Sequence, residues 1–113
     1  MSAVAALYNV PSTQEELNTW AFCHAAHHLD INRTIYLRTG TTLASYVLDP
    51  LDLDNFGTWL YQHQVMHQNM DAILQINGYD LLDANLKDPN EFAGWIFANS
   101  DEHKQAADIL GIG

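Results

Sequence analysis

At 113 residues, 48% of them hydrophobic, the chain is long enough to bury one core without disulfides or a structural metal, and its single cysteine cannot form an internal bridge. Four Lys and Arg against fourteen Asp and Glu give a formal charge of −10, which opposes direct binding to nucleic acid and suits solubility, a basic protein partner or divalent cations. No run approaches the roughly 18 apolar residues of a spanning helix, and the start MSAVAALYNV lacks the basic stretch and cleavage pattern of a signal peptide, so no membrane and no oxidising compartment is expected.

Residues 1–11 read as an extended N-terminal arm, small and apolar, ending in Tyr8, Asn9, Val10 and Pro11, with Pro11 preventing a helix from running through. The arm is expected to serve a partner, so that its removal leaves the helices intact. Residues 12–113 read as a single domain. Ser12 or Thr13 followed by Glu15 or Glu16 is a capping-box pattern that predicts a helix from about residue 13 to Arg38, closed by Gly40. Cys23 sits inside it among small residues and reads as a buried, inert thiol. From Thr41 the text changes to TTLASYVLDPLDL, and whether Leu43 to Leu48 form a helical turn or an extended piece stays open. A second helix is predicted from Asp54 or Asn55 to Ile76, stopped by Asn77 and Gly78. Tyr79 to Lys87 form a linker. Asp88, Pro89, Asn90 and Glu91 then supply a cap, a first-turn proline and an acid three residues after the cap, so a third helix runs to about Leu110 and ends at Gly111.

The three helices carry one pattern, with starts 39 and 36 residues apart. Aligned on Trp20, Trp59 and Trp95, the chain repeats Phe22, Tyr61 and Phe97, then His24, His63 and Asn99, then His28, His67 and His103. Ile31, Met70 and Ala106 follow, and then Ile35, Leu74 and Leu110. At about 100° per residue, the Trp, the two His positions and the apolar residues after them fall within an arc of roughly 80°, while Phe22, Tyr61 and Phe97 lie about 200° round, on the far side. The fold class is therefore all-α, a small bundle of three duplicated Trp/His units (about 12–40, 46–78 and 79–111). Linkers of roughly 13 to 16 residues are long enough to return along a helix. They allow a parallel, pseudo-threefold arrangement, and an antiparallel bundle stays open.

In a parallel bundle His28, His67 and His103 would share one level. Three imidazoles suit zinc or another divalent transition metal, with His24 and His63 assisting and Asp30, Asp71, Asp101 or Glu102 orienting the rings. Against this, a hydrogen-bonded buried His is commoner than a ligand. Asn99 also interrupts the inner tier, so polar packing without a cofactor is the leading reading. His27 has Met66 and Glu102 at its register and reads as surface. No phosphate loop, nucleophile elbow or cysteine pair is present, and no catalytic residue is assigned, so the chain is expected not to be an enzyme. Tyr8 and Val10 of the arm, with Phe22, Tyr61 and Phe97, are the candidate interaction residues, the last three alternatively holding linker tyrosines.

The opening NVPST, the pair His27 and His28, the QHQVMH helix and the closing WIFANSDEH resemble small uncharacterised proteins of tailed-phage genomes. That resemblance implies a non-enzymatic virion or assembly component, multimeric, contacting other virion proteins, and located in the virion or in host cytoplasm during assembly.

Overall fold

A computed structural model describes residues 3–43, 56–79, 81 and 88–112. It contains four helices, α1 (Ala3–Leu7), α2 (Gln14–Thr39), α3 (Phe56–Leu74) and α4 (Pro89–Leu110), and no strand among the described residues. No helix among them is long and apolar enough to cross a membrane.

Local chemistry sets most helix ends. Thr13 caps α2 by accepting from the Glu16 backbone N–H at 3.1 Å, and the Glu16 carboxylate reaches back to the Ser12 N–H at 3.3 Å. Gly40 closes the helix at φ 73, a left-handed conformation that costs glycine nothing. Asp88 caps α4, accepting from the Asn90 and Glu91 N–H groups at 2.9 and 3.4 Å, with Pro89 in the first turn and Gly111 at the end. Helix α3 stops two residues earlier than the predicted Ile76. Gln75 takes the left-handed turn at φ 57, and the Ile76 N–H bonds back to the Asp71 carbonyl at 2.9 Å, so a non-glycine residue serves as the stop. The predicted start of that helix, and the Leu43 to Leu48 question beyond Leu43, lie outside the described residues.

The long helices run in the same direction. Trp20 meets Trp95 at 5.8 Å, His24 meets Asn99, His28 meets His103, and Arg38 at the end of α2 donates to the Leu110 carbonyl at the end of α4. Rising residue numbers pair with rising numbers, which only parallel helices do. The interior is stacked in three tiers along that axis. One apolar cluster holds Leu7, Leu17, Trp20, Leu60, Leu81, Trp95 and Ile96. The other holds Ile31, Ile35, Met70, Ile76, Ala106 and Leu110. Between them lies a band of buried histidine.

The N-terminal arm is not extended. Ala3–Leu7 form a short helix that packs on α2 and α4, burying Val4 and Leu7. The Leu7 carbonyl accepts from Trp20 Nε1 at 3.0 Å and Ser100 Oγ at 2.6 Å, and the Leu81 carbonyl accepts from Trp95 Nε1 at 2.9 Å. Buried indole N–H groups need acceptors, and segments preceding α2 and α4 supply them. The arm belongs to the core because its backbone carries that acceptor. Leu7→Ala is expected to lower stability by about 2 to 5 kcal/mol. Deleting residues 1–10 is expected to cost more and to weaken helical circular dichroism; urea melts that overlay the full chain would return the arm to a partner-binding role.

A candidate metal centre

Helical repetition brings five histidines into contact. His24 and His28 stand one turn apart on α2, His63 and His67 one turn apart on α3, and His103 faces them from α4. One ring nitrogen from each lies within 4.8 Å of every other, and all five side chains are buried. The contacts are made Nε2 to Nε2: His24 to His28, 3.2 Å; His24 to His63, 3.2 Å; His28 to His67, 3.2 Å; His28 to His103, 3.1 Å. Asn99 Oδ1 completes the His24 and His63 tier at 3.1 Å from His24 Nε2.

Protons cannot satisfy this arrangement. A neutral imidazole nitrogen carries either one N–H or one in-plane lone pair, so it makes one good hydrogen bond. His28 Nε2 faces three other Nε2 atoms and His24 Nε2 faces two, besides the Asn99 oxygen. Whichever tautomer His28 adopts, at least two of its three contacts are left without a well-directed hydrogen bond. Charging the rings offers no escape, because burial holds His24, His28, His63 and His103 well below the ordinary imidazole value and brings His67 down to about 4. A cation at the centre accepts all the lone pairs at once. The spacing agrees: metal–nitrogen bonds of about 2.1 Å put adjacent ligand atoms roughly 3.0 to 3.4 Å apart and opposite ones about 4.2 Å apart. Two ions, roughly 3.5 to 4 Å from each other, would need a wider ligand set.

The surrounding groups fix the ring orientation. His103 Nδ1 lies 2.7 Å from His27 Nδ1. If His103 donates there, its Nε2 lone pair is left for the centre. Glu102 Oε1 lies 3.4 Å from His67 Nδ1, close enough for electrostatic attraction but without a hydrogen bond between them. Asp71 hydrogen-bonds Glu102 as the donor, with burial first and the Glu102 carboxylate second pushing its carboxyl up to about 8. The pair therefore shares a proton and keeps one negative charge at neutral pH. Glu102 Oε2 also accepts from the Tyr79 N–H at 3.3 Å. Gly78 permits this close approach, since a Cβ there would collide with the Asp71 carboxylate. A wholly buried carboxylate next to neutral imidazoles calls for a counter-charge, and a divalent cation supplies one. The Nδ1 atoms of His24 and His63 have no hydrogen-bond partner among the described residues.

His28, His67 and His103 thus come together, joined by His24 and His63. His27 is corrected from surface to buried, 1% exposed. The signal was present: seven residues past the Trp is about −20° on the helical wheel, at the border of the stripe, and Met66 and Glu102 at that register are buried too. Of the interaction residues, Phe22, Tyr61 and Phe97 are 77%, 65% and 57% exposed. Tyr8 packs edge-on against Phe97 at 5.9 Å, while Val10 is exposed and lines a groove beside Trp20 and Cys23. Asp101 accepts from the Tyr79 hydroxyl at 2.8 Å, away from the histidines.

Comparison with protein-family models, with curated proteins and with solved structures finds no match to the chain.

All six histidines have lowered pKa values, with burial the leading cause. Between the ordinary 6.5 and the lowered folded values the unfolded chain binds more protons, so stability falls as pH falls through that interval. Asp71 and Glu102, raised, act in the opposite sense, but they are two groups against six. The metal-free chain is expected to show a lower urea midpoint at pH 5 than at pH 7.5. Equal midpoints would contradict a band of buried neutral imidazole.

Proposed function

We propose that this chain is a non-enzymatic metal-binding protein that holds one divalent transition-metal ion between its three long helices. The observation that carries the reading is His28 Nε2, which has three other Nε2 atoms at 3.1 to 3.2 Å and can satisfy only one of them with a proton. Imidazole is a good ligand for zinc, iron, nickel and copper. The set draws on all three long helices, so binding joins segments far apart in sequence and adds its free energy to that of folding. Burial beneath two apolar clusters suits retention of an ion rather than turnover of a substrate.

Elemental analysis of chain purified without a metal-affinity column is expected to give one transition ion per chain, removable by a strong chelator with a fall in melting temperature. His28→Ala is expected to abolish stoichiometric binding. Trp20 stacks on His24 at 4.7 Å and Trp59 on His63 at 4.7 Å, so reloading with Cu2+ or Ni2+ should quench tryptophan emission. A folded chain that neither carries nor takes up metal would refute the reading.

A second reading, assembly with other protein chains as in a virion component, rests on the phage resemblance and on the exposure of Phe22, Tyr61 and Phe97. Its test is sedimentation at rising concentration. Self-association that is lost in a Phe22→Ser, Tyr61→Ser double variant supports it, and a monomer throughout argues for the metal role alone.

A further inference from the structure

The donors around the centre form two triangles one helical turn apart. His28, His67 and His103 make one, and His24, His63 and Asn99 make the other. Asn99 is fully buried, and its Oδ1 lies 3.1 Å from His24 Nε2, the same spacing that separates the imidazole nitrogens from one another. In this orientation its amide nitrogen has no partner among the described residues, and the carbonyl oxygen is the end that faces the cluster. Resting on the metal reading, we infer that Asn99 Oδ1 is a sixth ligand, making a closed site of five nitrogens and one oxygen that selects six-coordinate divalent ions, Ni2+ foremost, over Zn2+.

The selectivity follows from ligand count. Structural zinc is almost always four-coordinate and tetrahedral. Zn2+ here would engage four donors and leave two buried ones facing the ion without bonding it, with no solvent to satisfy them. An ion that takes six ligands leaves none. Two stacked triangles of donors are the ligand set of an octahedron or a trigonal prism, and a carbonyl oxygen is harder than imidazole, which moves the site away from Cu+ and Zn2+. Among divalent ions that accept six ligands without the tetragonal distortion of Cu2+, affinity rises from Mn2+ through Fe2+ and Co2+ to Ni2+. Six protein donors also leave no position for a substrate. The ion is held, as a structural or stored ion, and does not turn over chemistry at an open site.

The opposite orientation of the amide has the opposite consequence. With Nδ2 turned inward, Asn99 would donate to His24 Nε2 and remove that lone pair from the ion, and its replacement would then leave the preference unchanged or improve it.

The test is competition on the full chain, stripped by chelator and given equimolar Ni2+ and Zn2+ in excess, with bound metal measured after desalting and nickel coordination read by X-ray absorption. The wild-type chain is expected to retain nickel with six light-atom neighbours. Asn99→Ala is expected still to bind metal but to lose at least about tenfold of its nickel-over-zinc preference, and Asn99→Asp, which keeps the oxygen, to retain it. A wild-type chain that binds neither ion overturns the metal reading itself. Binding with four or five nickel neighbours, or an unchanged ratio in a folded Asn99→Ala, overturns the role of Asn99 and leaves the histidine site standing. Should Asn99→Ala fail to fold, the wild-type coordination number decides alone.

Discussion

The rest of this structure depends on the crowding of imidazole nitrogens at the bundle axis. Five Nε2 atoms meet where a protein of this size would ordinarily place leucine, and burial prevents them from dispersing the problem as positive charge. Both apolar clusters exist on either side of that band, and the helices must be parallel for the tiers to coincide. Parallel helices in turn require connections that return along the bundle. The segment before α2 packs as the short helix α1, and the carbonyls of Leu7 and Leu81 reach the indoles of Trp20 and Trp95.

This explains why polar groups are graded outward from the centre. The rings that converge are flanked by His27, whose contact with His103 Nδ1 leaves the opposite nitrogen for the axis, and by Glu102, 3.4 Å from His67 Nδ1. Glu102 is held in turn by Asp71 and by the Tyr79 amide, and a side chain at Gly78 would have to displace the Asp71 carboxylate. One proton between two carboxyl groups leaves a single negative charge beside the centre, which a divalent ion would offset. The indoles of Trp20 and Trp59 stack on His24 and His63 at 4.7 Å and fill the space above the upper tier.

The outer face follows a different logic. Phe22, Tyr61 and Phe97 share a register on the side of each helix turned from the axis, and all three are more than half exposed. Tyr8, from the segment before α2, covers part of Phe97 on α4. The equivalent relation for Phe22 and Tyr61 is not made by any described residue. A surface with large apolar side chains at regular spacing on an acidic protein is compatible with assembly, and it is independent of the buried centre.

Much of this was legible in sequence because it is periodic or local. The caps at Thr13 and Asp88, the stops at Gly40 and Gly111, and the shared Trp/His stripe depend on neighbours within a turn or two, and the all-α class follows from them. The stop at Gln75 was missed because a left-handed glutamine has no sequence mark. His27 was misplaced because a position at the border of a stripe is buried or exposed according to the neighbouring helix. The short helix α1 differs from the expected extended arm because five residues carry no periodicity, and its place is set by the Trp20 indole N–H thirteen residues away and by the Ser100 hydroxyl on α4. By itself, then, the sequence determined which residues share a face. Only tertiary structure decided that three such faces run parallel and meet, because helix direction and the separation of His24, His63 and His103 are properties of packing that no spacing along one helix contains.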